Sequence, residues 1–335
     1  MERRDRTHVM SGRALDGSGR ESRLAYAFVF PLLLAFVFFY LWPAFNTLAG
    51  SLFRWGLLNP WNIAQPADWD FVGFQNYVDT LTSARFWNAV INTGIWLVIF
   101  PILVTVVSLL LSIRIWQTPR AGAAFRTVFI LPMTISLAAA GVIWTFMYDP
   151  DFGVLTRFVE WTGIDFAIDW GPIQFQTSQW LSNPGTIDLG FSQIRLVNLS
   201  LIVAGFWAFT GFGVITFTAG LTAVSSELIE AAQVDGATTR QVIRNVLVPQ
   251  LKGPMTVVAT ISVIFALRTF DVVWVITQGG PAQDSEVLAV LLWKQAFVFL
   301  DSPQAGLATA VAIIMSAVLI VGAWPYLRGL TKEKT

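Results

Sequence analysis

The stretch Thr222–Pro254, TAVSSELIEAAQVDGATTRQVIRNVLVPQLKGP, is polar and lies between two long apolar segments. Ser226 is placed to cap a helix whose first turn carries Glu227 and Glu230, both favourable near the positive end of the helix dipole. Ala231 and Ala232 propagate that helix and leave a low surface over which another protein can pass closely. Asp235-Gly236 signals a turn, because glycine takes left-handed backbone angles without steric cost. Thr238 or Thr239 then caps a second short helix running through Val246, and Pro249 marks its exit. Val242, Val246 and Leu247 are expected to face the rest of the protein. An ordinary helical hairpin between apolar segments has the same local grammar. The glycine at this offset and the small hydrophobes before Pro249 favour a loop built to be gripped by a second protein.

Composition sets the surroundings of that loop. Hydrophobic residues make up 55% of the chain and charged residues only 13%. So much apolar surface points to a membrane, where about 20 apolar residues cross the hydrocarbon layer as a helix. There is no cysteine, which excludes disulfides, thiolate metal sites and a lipoprotein anchor. The sole histidine, His8, lies in an Arg-rich tail and argues against a histidine metal site or a Ser-His triad. No Gly-Lys-Ser/Thr phosphate loop is present, so the chain is not expected to bind ATP in the usual way.

Six apolar runs read as spans, at about 24–44, 88–112, 127–147, 198–221, 255–276 and 305–325. The first follows a charged tail, as a signal peptide does. Its run is longer than a signal core and carries Pro31 and Pro43, so it reads as a retained span. Basic residues set the orientation. One set of flanks holds Arg3, Arg4, Arg6, Arg13, Arg20, Arg23, Arg114, Arg120, Arg126, Arg240, Arg244, Lys252, Arg328, Lys332 and Lys334. The opposite set holds only Arg54, Arg85, Arg157, Arg195 and Lys294, over much longer loops rich in Asp and Trp. An all-α membrane protein with six spans and both termini cytoplasmic satisfies this pattern. Its parts are a tail at 1–23, a six-helix domain at 24–325 with its cytoplasmic loop at 222–254, and a tail at 326–335.

The outer segments 50–87 and 148–197 mix aromatics, Pro and Gly in a way that suggests ordered structure. Residues 286–300 read as a short amphipathic helix, with Leu288, Leu291, Leu292 and Phe299 at helical spacing. The outer Trp residues suit either anchoring at the lipid headgroups or docking of an external partner.

Three separated motifs carry a family resemblance. The first is Glu230-Ala231-Ala232, then Gly236, then Val246-Leu247-Val248-Pro249. The second is Phe71-Val72-Gly73-Phe74-Gln75-Asn76-Tyr77, followed by Phe86-Trp87 and Asn92-Thr93. The third is Phe270-Asp271 with Thr277-Gln278-Gly279-Gly280-Pro281. Together they make the chain resemble a permease subunit of the binding-protein-dependent ABC importers, in the maltose-type branch that takes up sugars. Both aliphatic positions before Pro249 carry Val, a conservative departure, and the outer loop at 170–193 looks longer than usual. That extra piece, with Trp170, Phe175, Trp180 and Phe191, can touch a solute-binding protein or a second permease.

The resemblance implies a type I ABC importer permease in a bacterial or archaeal inner membrane. Its partners would be a second permease of different sequence, a cytoplasmic ATPase dimer that binds the ATP, and an external solute-binding protein; nucleic acid is not among them. The loop carrying Glu230, Ala231, Ala232, Asp235, Gly236 and Pro249 would insert into a cleft on the ATPase. The solute would be a sugar or oligosaccharide such as an α-glucoside, with glycerol phosphates and other polyols as further candidates. No cofactor, metal or catalytic residue is expected on this chain.

Sugar recognition uses aromatic faces against the ring's C–H surface and polar groups for hydroxyls. Near the membrane midplane such residues are Trp207, Thr210 and Phe212 on the fourth span, and Ser262, Arg268 and Thr269 on the fifth. Thr134 and Ser136 on the third span are further polar candidates. Glycine and threonine in such helices also serve simply as packing residues. Arg268 stands out because an arginine within a span is costly, and Asp271 is spaced to pair with it along one helix face. The rival reading is a stand-alone secondary carrier or channel. Coupled carriers usually need acidic groups within their spans, and apart from Asp271 these spans have none.

Overall fold

The structure is a computed structural model that describes residues 17–56, 70–118, 122–162, 167–170, 173–176, 180–181, 186–188, 193–299 and 304–332. It divides into two compact units, Met1–Gly50 and Ser51–Thr335. The first contains helix α1 (Gly17–Phe36), a π-helical turn at Val37–Leu41 and α2 (Trp42–Gly50). Tyr26–Gly50 is long and apolar enough to cross a membrane. Every side chain from Tyr26 to Phe45 is exposed.

The second unit opens with a short pairing of β1 (Phe53–Arg54) and β2 (Asp70–Phe71), then α3 (Gln75–Thr82). Asn76 fixes the start of this unit. Its buried amide donates to the carbonyls of Ser51 and Phe53 at 2.8 and 2.9 Å. Helix α4 (Ala84–Gln117) runs 34 residues, long enough to cross a membrane. Then follow α5 (Gly122–Ile130), a 3-10 turn at Leu131–Thr134 and α6 (Leu137–Met147). The expected third span is therefore not one straight helix. Pro132 cannot donate to the ladder, and Ser136 accepts from the backbone of Ala139 and starts a new helix, so the two halves bend by 103°.

The excursion after α6 holds α7 (Val154–Thr162) and an antiparallel sheet in the order β3 (Ala167–Trp170), β4 (Ile173–Gln176), β5 (Thr186–Asp188), β6 (Gln193–Arg195). The expected order in this loop is thus strand structure. Its side chains at Trp170, Phe175 and Phe191 lie outside the described residues. Trp180 turns inward: its ring packs on Tyr148 at 5.8 Å and its indole N–H donates to Thr156.

Helix α8 (Leu196–Thr222) is the second long helix of this unit and packs along α4. Small residues let the two backbones close in. A methyl group at Gly213 would sit 2.6 Å from Ser108 Cβ. Ser108 and Ser112 donate one turn apart to the carbonyls of Thr210 and Val214, at 3.2 and 3.3 Å. Trp96, Phe100, Val104, Leu201, Ile202 and Phe217 fill the contact and are fully buried.

The chain then forms α9 (Ser226–Val234), α10 (Thr239–Val242), a π-helical turn at Ile243–Leu247, and α11 (Val248–Gln250). Helix α12 (Lys252–Leu267) follows with a 65° bend at Leu251. The expected fifth span, 255–276, is interrupted. Helix α12 ends at Leu267, Phe270 leaves helical geometry at φ −137°, and α13 (Asp271–Thr277) starts afresh. Next come α14 (Leu288–Trp293) with a π-helical turn at Lys294–Val298, and α15 (Ala305–Lys332). The amphipathic helix expected at 286–300 thus forms, with Leu288 and Leu291 buried against Phe86, Ala89, Val311 and Met315. Among the described residues three helices are long enough to cross a membrane, or five if each bent pair is one span.

Candidate functional site

Three places concentrate chemistry, and the exposed loop after α8 is the first. Ser225, one residue before the expected cap, accepts from the backbone of Glu227 at 3.2 Å and begins α9. Ser226 is the first helical residue instead. Glu227, Glu230 and Ala231 are exposed, Leu228 and Val234 protrude at 48% and 88% exposure, and Ala232 is half-buried. Among the described residues Glu230 makes no ion pair. The turn is a double-bonded helix stop: Gly236 N–H donates to Gln233 and Ala237 N–H to Ala232, with Asp235 as the cap. Gly236 sits at φ +78°, and nothing lies within 4 Å of where a Cβ would be. Its requirement is conformational.

Thr238 rather than Thr239 starts α10, in a capping box with Gln241. The segment does not stop at Pro249. Proline is tolerated in the first turn of a helix, here as the second residue of α11, and the chain turns only at Leu251. Val242 and Leu247 are buried in the core, and Val246 is half-buried against it, as their spacing implies. One face of the loop is thus riveted to the membrane helices, and the other offers an unpartnered carboxylate and two apolar side chains.

The second place is a cavity of about 300 Å³ where α12 breaks. Phe209, Phe265 and Phe270 form aromatic walls, with Leu137, Ile261, Ile264 and Val272 beside them. Phe265 is held between Phe209 at 4.8 Å and Phe100 at 4.9 Å. Arg268, Thr269 and Asp271 supply the polar lining. The Thr269 hydroxyl is buried with no hydrogen-bond partner among the described residues, and a buried polar group left so is costly unless something occupies the space. Arg268 and Asp271 are exposed and form no ion pair with each other. The expected pairing along one helix face fails because the helix breaks between them.

Of the residues expected along a solute path, the cavity gathers Arg268 and Thr269. Trp207 packs edge-on against Trp144 at 6.0 Å, and Phe212 lies against Phe209 at 5.3 Å. Thr210 and Ser262 are buried and donate to Phe206 and Val258 one turn back on their own helices. Thr134 and Ser136 likewise serve their own backbone. Phe265 and Phe270 were not expected in this role; a phenylalanine every few residues in an apolar helix carries no mark of which one faces a cavity.

The third place escaped sequence reasoning. Glu286 is fully buried, and its carboxylate accepts two hydrogen bonds from Arg85, at 2.6 and 2.7 Å, and one from Lys294 at 2.9 Å. Burial pushes its carboxyl up, but hydrogen bonds from Arg85 and Lys294, with their charges, more than offset this and hold it below the ordinary carboxylate value. The guanidinium also lies over the Phe299 ring at 4.9 Å. Asn92 donates to the Glu286 carbonyl and Asn198 to the Asp284 carbonyl, while Arg195 pairs with Asp284 at 3.2 Å. Gly279, at φ +83°, lies where a Cβ would sit 3.2 Å from Glu286 Cβ. The Phe86–Thr93 and Thr277–Pro281 motifs thus meet here. This cluster staples the 278–287 loop to the ends of α4 and α8.

Residues 107–326 match the family described as "Binding-protein-dependent transport system inner membrane component", well over half of the chain. The alpha-glucoside transport system permease protein AglF of Rhizobium meliloti (strain 1021) is 30% identical over 312 residues, covering 92% of this chain and 82% of the relative. The sn-glycerol-3-phosphate transport system permease protein UgpA of the same organism is 27% identical over 298 residues, covering 89% and 91%. The fold is shared with the crystal structure of a bacterial ABC transporter involved in the import of the acidic polysaccharide alginate, at TM-score 0.68 and 21% identity, covering 91% of this chain and 94% of the other. The chain belongs to the family of inner-membrane permease components of binding-protein-dependent ABC importers, and is a transport subunit rather than an enzyme.

Proposed function

We propose that this chain is one of two permease subunits of an ATP-driven importer for a sugar or oligosaccharide delivered by an external binding protein. It spans a bacterial or archaeal cytoplasmic membrane six times with both termini inside. The single observation that carries the coupling role is the loop at 222–254. Its buried face at Val242 and Leu247 is fixed to the membrane helices, while Glu230, Leu228 and Val234 face outward. That arrangement suits a lever gripped by a cytoplasmic ATPase dimer, which binds the ATP. Closure of the dimer would draw the two permeases' loops together and open the path outward, and hydrolysis would reset it.

The cavity at the break in α12 supports the sugar reading. Aromatic walls suit the C–H faces of a sugar ring, and Thr269, Asp271 and Arg268 suit its polar substituents. The likeness to an alpha-glucoside permease points the same way. Arg268, which forms no ion pair among the described residues, favours a second reading within the class, an acidic saccharide or polyol phosphate, with Asp271 accepting from hydroxyls. The path proposed from Trp207, Thr210, Phe212 and Ser262 would run beside this cavity.

The test is ATPase activity of the chain co-expressed with its genomic neighbours and reconstituted in lipid, with the binding protein and a panel of neutral and acidic saccharides. Stimulation by one saccharide, lost on Glu230→Lys, is the expected result. Transport by the chain alone, with no associated ATPase, would overturn the proposal in favour of a carrier.

A further inference from the structure

The cavity does not end at Phe270. That ring stacks on Trp274 at 5.7 Å and 12°, and touches Trp293 at 5.5 Å. Trp293 in turn meets Trp274 at 6.3 Å and Phe297 at 4.5 Å. Four aromatic rings, from the break at 268–270, from α13, from α14 and from the π-helical turn after it, therefore form one continuous surface that begins at the wall of the cavity.

The core does not use this surface fully. Helix α14 buries Leu288, Val290 and Leu291 on its other side, and the charged end of Lys294 is occupied by Glu286. Trp293 and Phe297, one turn apart, remain 37% and 50% exposed. Aromatics that merely anchor a protein at the headgroups are spread around its perimeter. Here they touch one another and lead from a cavity whose volume is at the lower end of ligand sites. A saccharide of more than one or two rings would have to extend out of that cavity. The aromatic run that starts at Phe270 and is most exposed at Trp293 and Phe297 is the continuation that offers ring-sized flat groups.

Resting on the sugar reading above, we propose that Phe270, Trp274, Trp293 and Phe297 form a saccharide lane. Successive sugar rings lie on it as an oligosaccharide is fed into the cavity at Arg268 and Asp271. The occupant is a chain of three or more sugar rings, held by C–H contacts along the lane and by polar groups only at its inner end. The lane sets chain-length preference.

The test uses the complete importer in proteoliposomes, with uptake of labelled saccharides of one to six rings, both neutral α-glucans and alginate oligomers. Trp293→Ala/Phe297→Ala should lower uptake efficiency about tenfold for three rings and longer, and leave one and two rings within about twofold. Trp293→Phe/Phe297→Tyr should restore it, and Phe28→Ala, an exposed aromatic on α1, should change nothing. Equal loss at every length, no loss at any, or a wild type confined to one and two rings would overturn the lane and leave the sugar reading intact. Loss of the second permease on purification would make this face a subunit interface and also overturn it. A wild type that takes up no saccharide would sink the sugar reading and the lane together.

Discussion

Two glycines at positive φ, Gly236 and Gly279, mark two regions built on opposite principles. Around Gly279 the charged groups are paired with one another. A buried carboxylate takes three charged hydrogen bonds, and asparagines hold the loop's carbonyls. Around Gly236 the backbone is satisfied by its own helix stop, while the side chains of Glu230 and Val234 stand exposed, and Glu230 makes no ion pair among the described residues. The first region closes its charges within the chain. The second is half of a contact, and its order is confined to what keeps its shape.

The largest contrast is functional. Glu230→Lys or Gly236→Pro should abolish uptake while leaving membrane insertion intact, because neither disturbs the buried rivets Val242 and Leu247. Normal uptake in proteoliposomes by either variant would break the comparison. In thermal unfolding of the purified importer, Glu230→Lys should stay within about 0.5 kcal/mol of wild type, as exposed sites do.

Glu286→Gln should reverse that pattern. It leaves Arg85 and Lys294 facing each other without their anion, a loss of about 3–5 kcal/mol read as a lowered unfolding midpoint. Replacing Arg85, Glu286 and Lys294 together by Met should recover much of it, since the desolvation cost leaves with the charges. A midpoint unchanged by Glu286→Gln would show that the staple is ornamental.

The glycines refine the point. Gly236→Ala carries only the left-handed backbone cost, about 1–2 kcal/mol. Gly279→Ala carries that and a crowded contact with Glu286, adding about 1–3 kcal/mol. Equal losses for the two would mean the loop at 279 moves aside freely.

The smallest effect is with pH. The Glu286 carboxyl is held below its unfolded value, so the stability it gives is full above the ordinary carboxylate range, about pH 4–5. That stability is lost as pH falls toward the folded value. Wild type should therefore lose stability on acidification more steeply than the triple Met variant, and parallel slopes would remove Glu286 as the cause.

What could be read from the sequence divides along the same line. The loop at 222–254 was legible because caps, turn and stop are set by neighbours, and its errors were a one-residue shift at Ser225 and an exit two residues later than Pro249. The long apolar runs at 88–112 and 198–221 were legible because membrane thickness fixes their length. The staple was not, because Arg85 and Glu286 lie 201 residues apart and an ion pair leaves no periodic trace. The cavity was half legible. Arg268 and Thr269 stood out as polar residues in an apolar run, but the break at Phe270 that opens the space follows from tertiary packing.

The excursion between α6 and α8 is closed at its base like a drawstring. Tyr148 donates to the Ser200 carbonyl at 2.7 Å, Ser200 to the Trp180 carbonyl at 2.9 Å, and Trp180 to Thr156 at 3.3 Å. With the base tied, the spacing of the membrane helices no longer depends on how much chain lies beyond it. Each doubling of a flexible loop adds only about 0.6 kcal/mol of closure entropy. The strands beyond the knot should therefore tolerate lengthening, shortening or an inserted label without shifting the helices at its base.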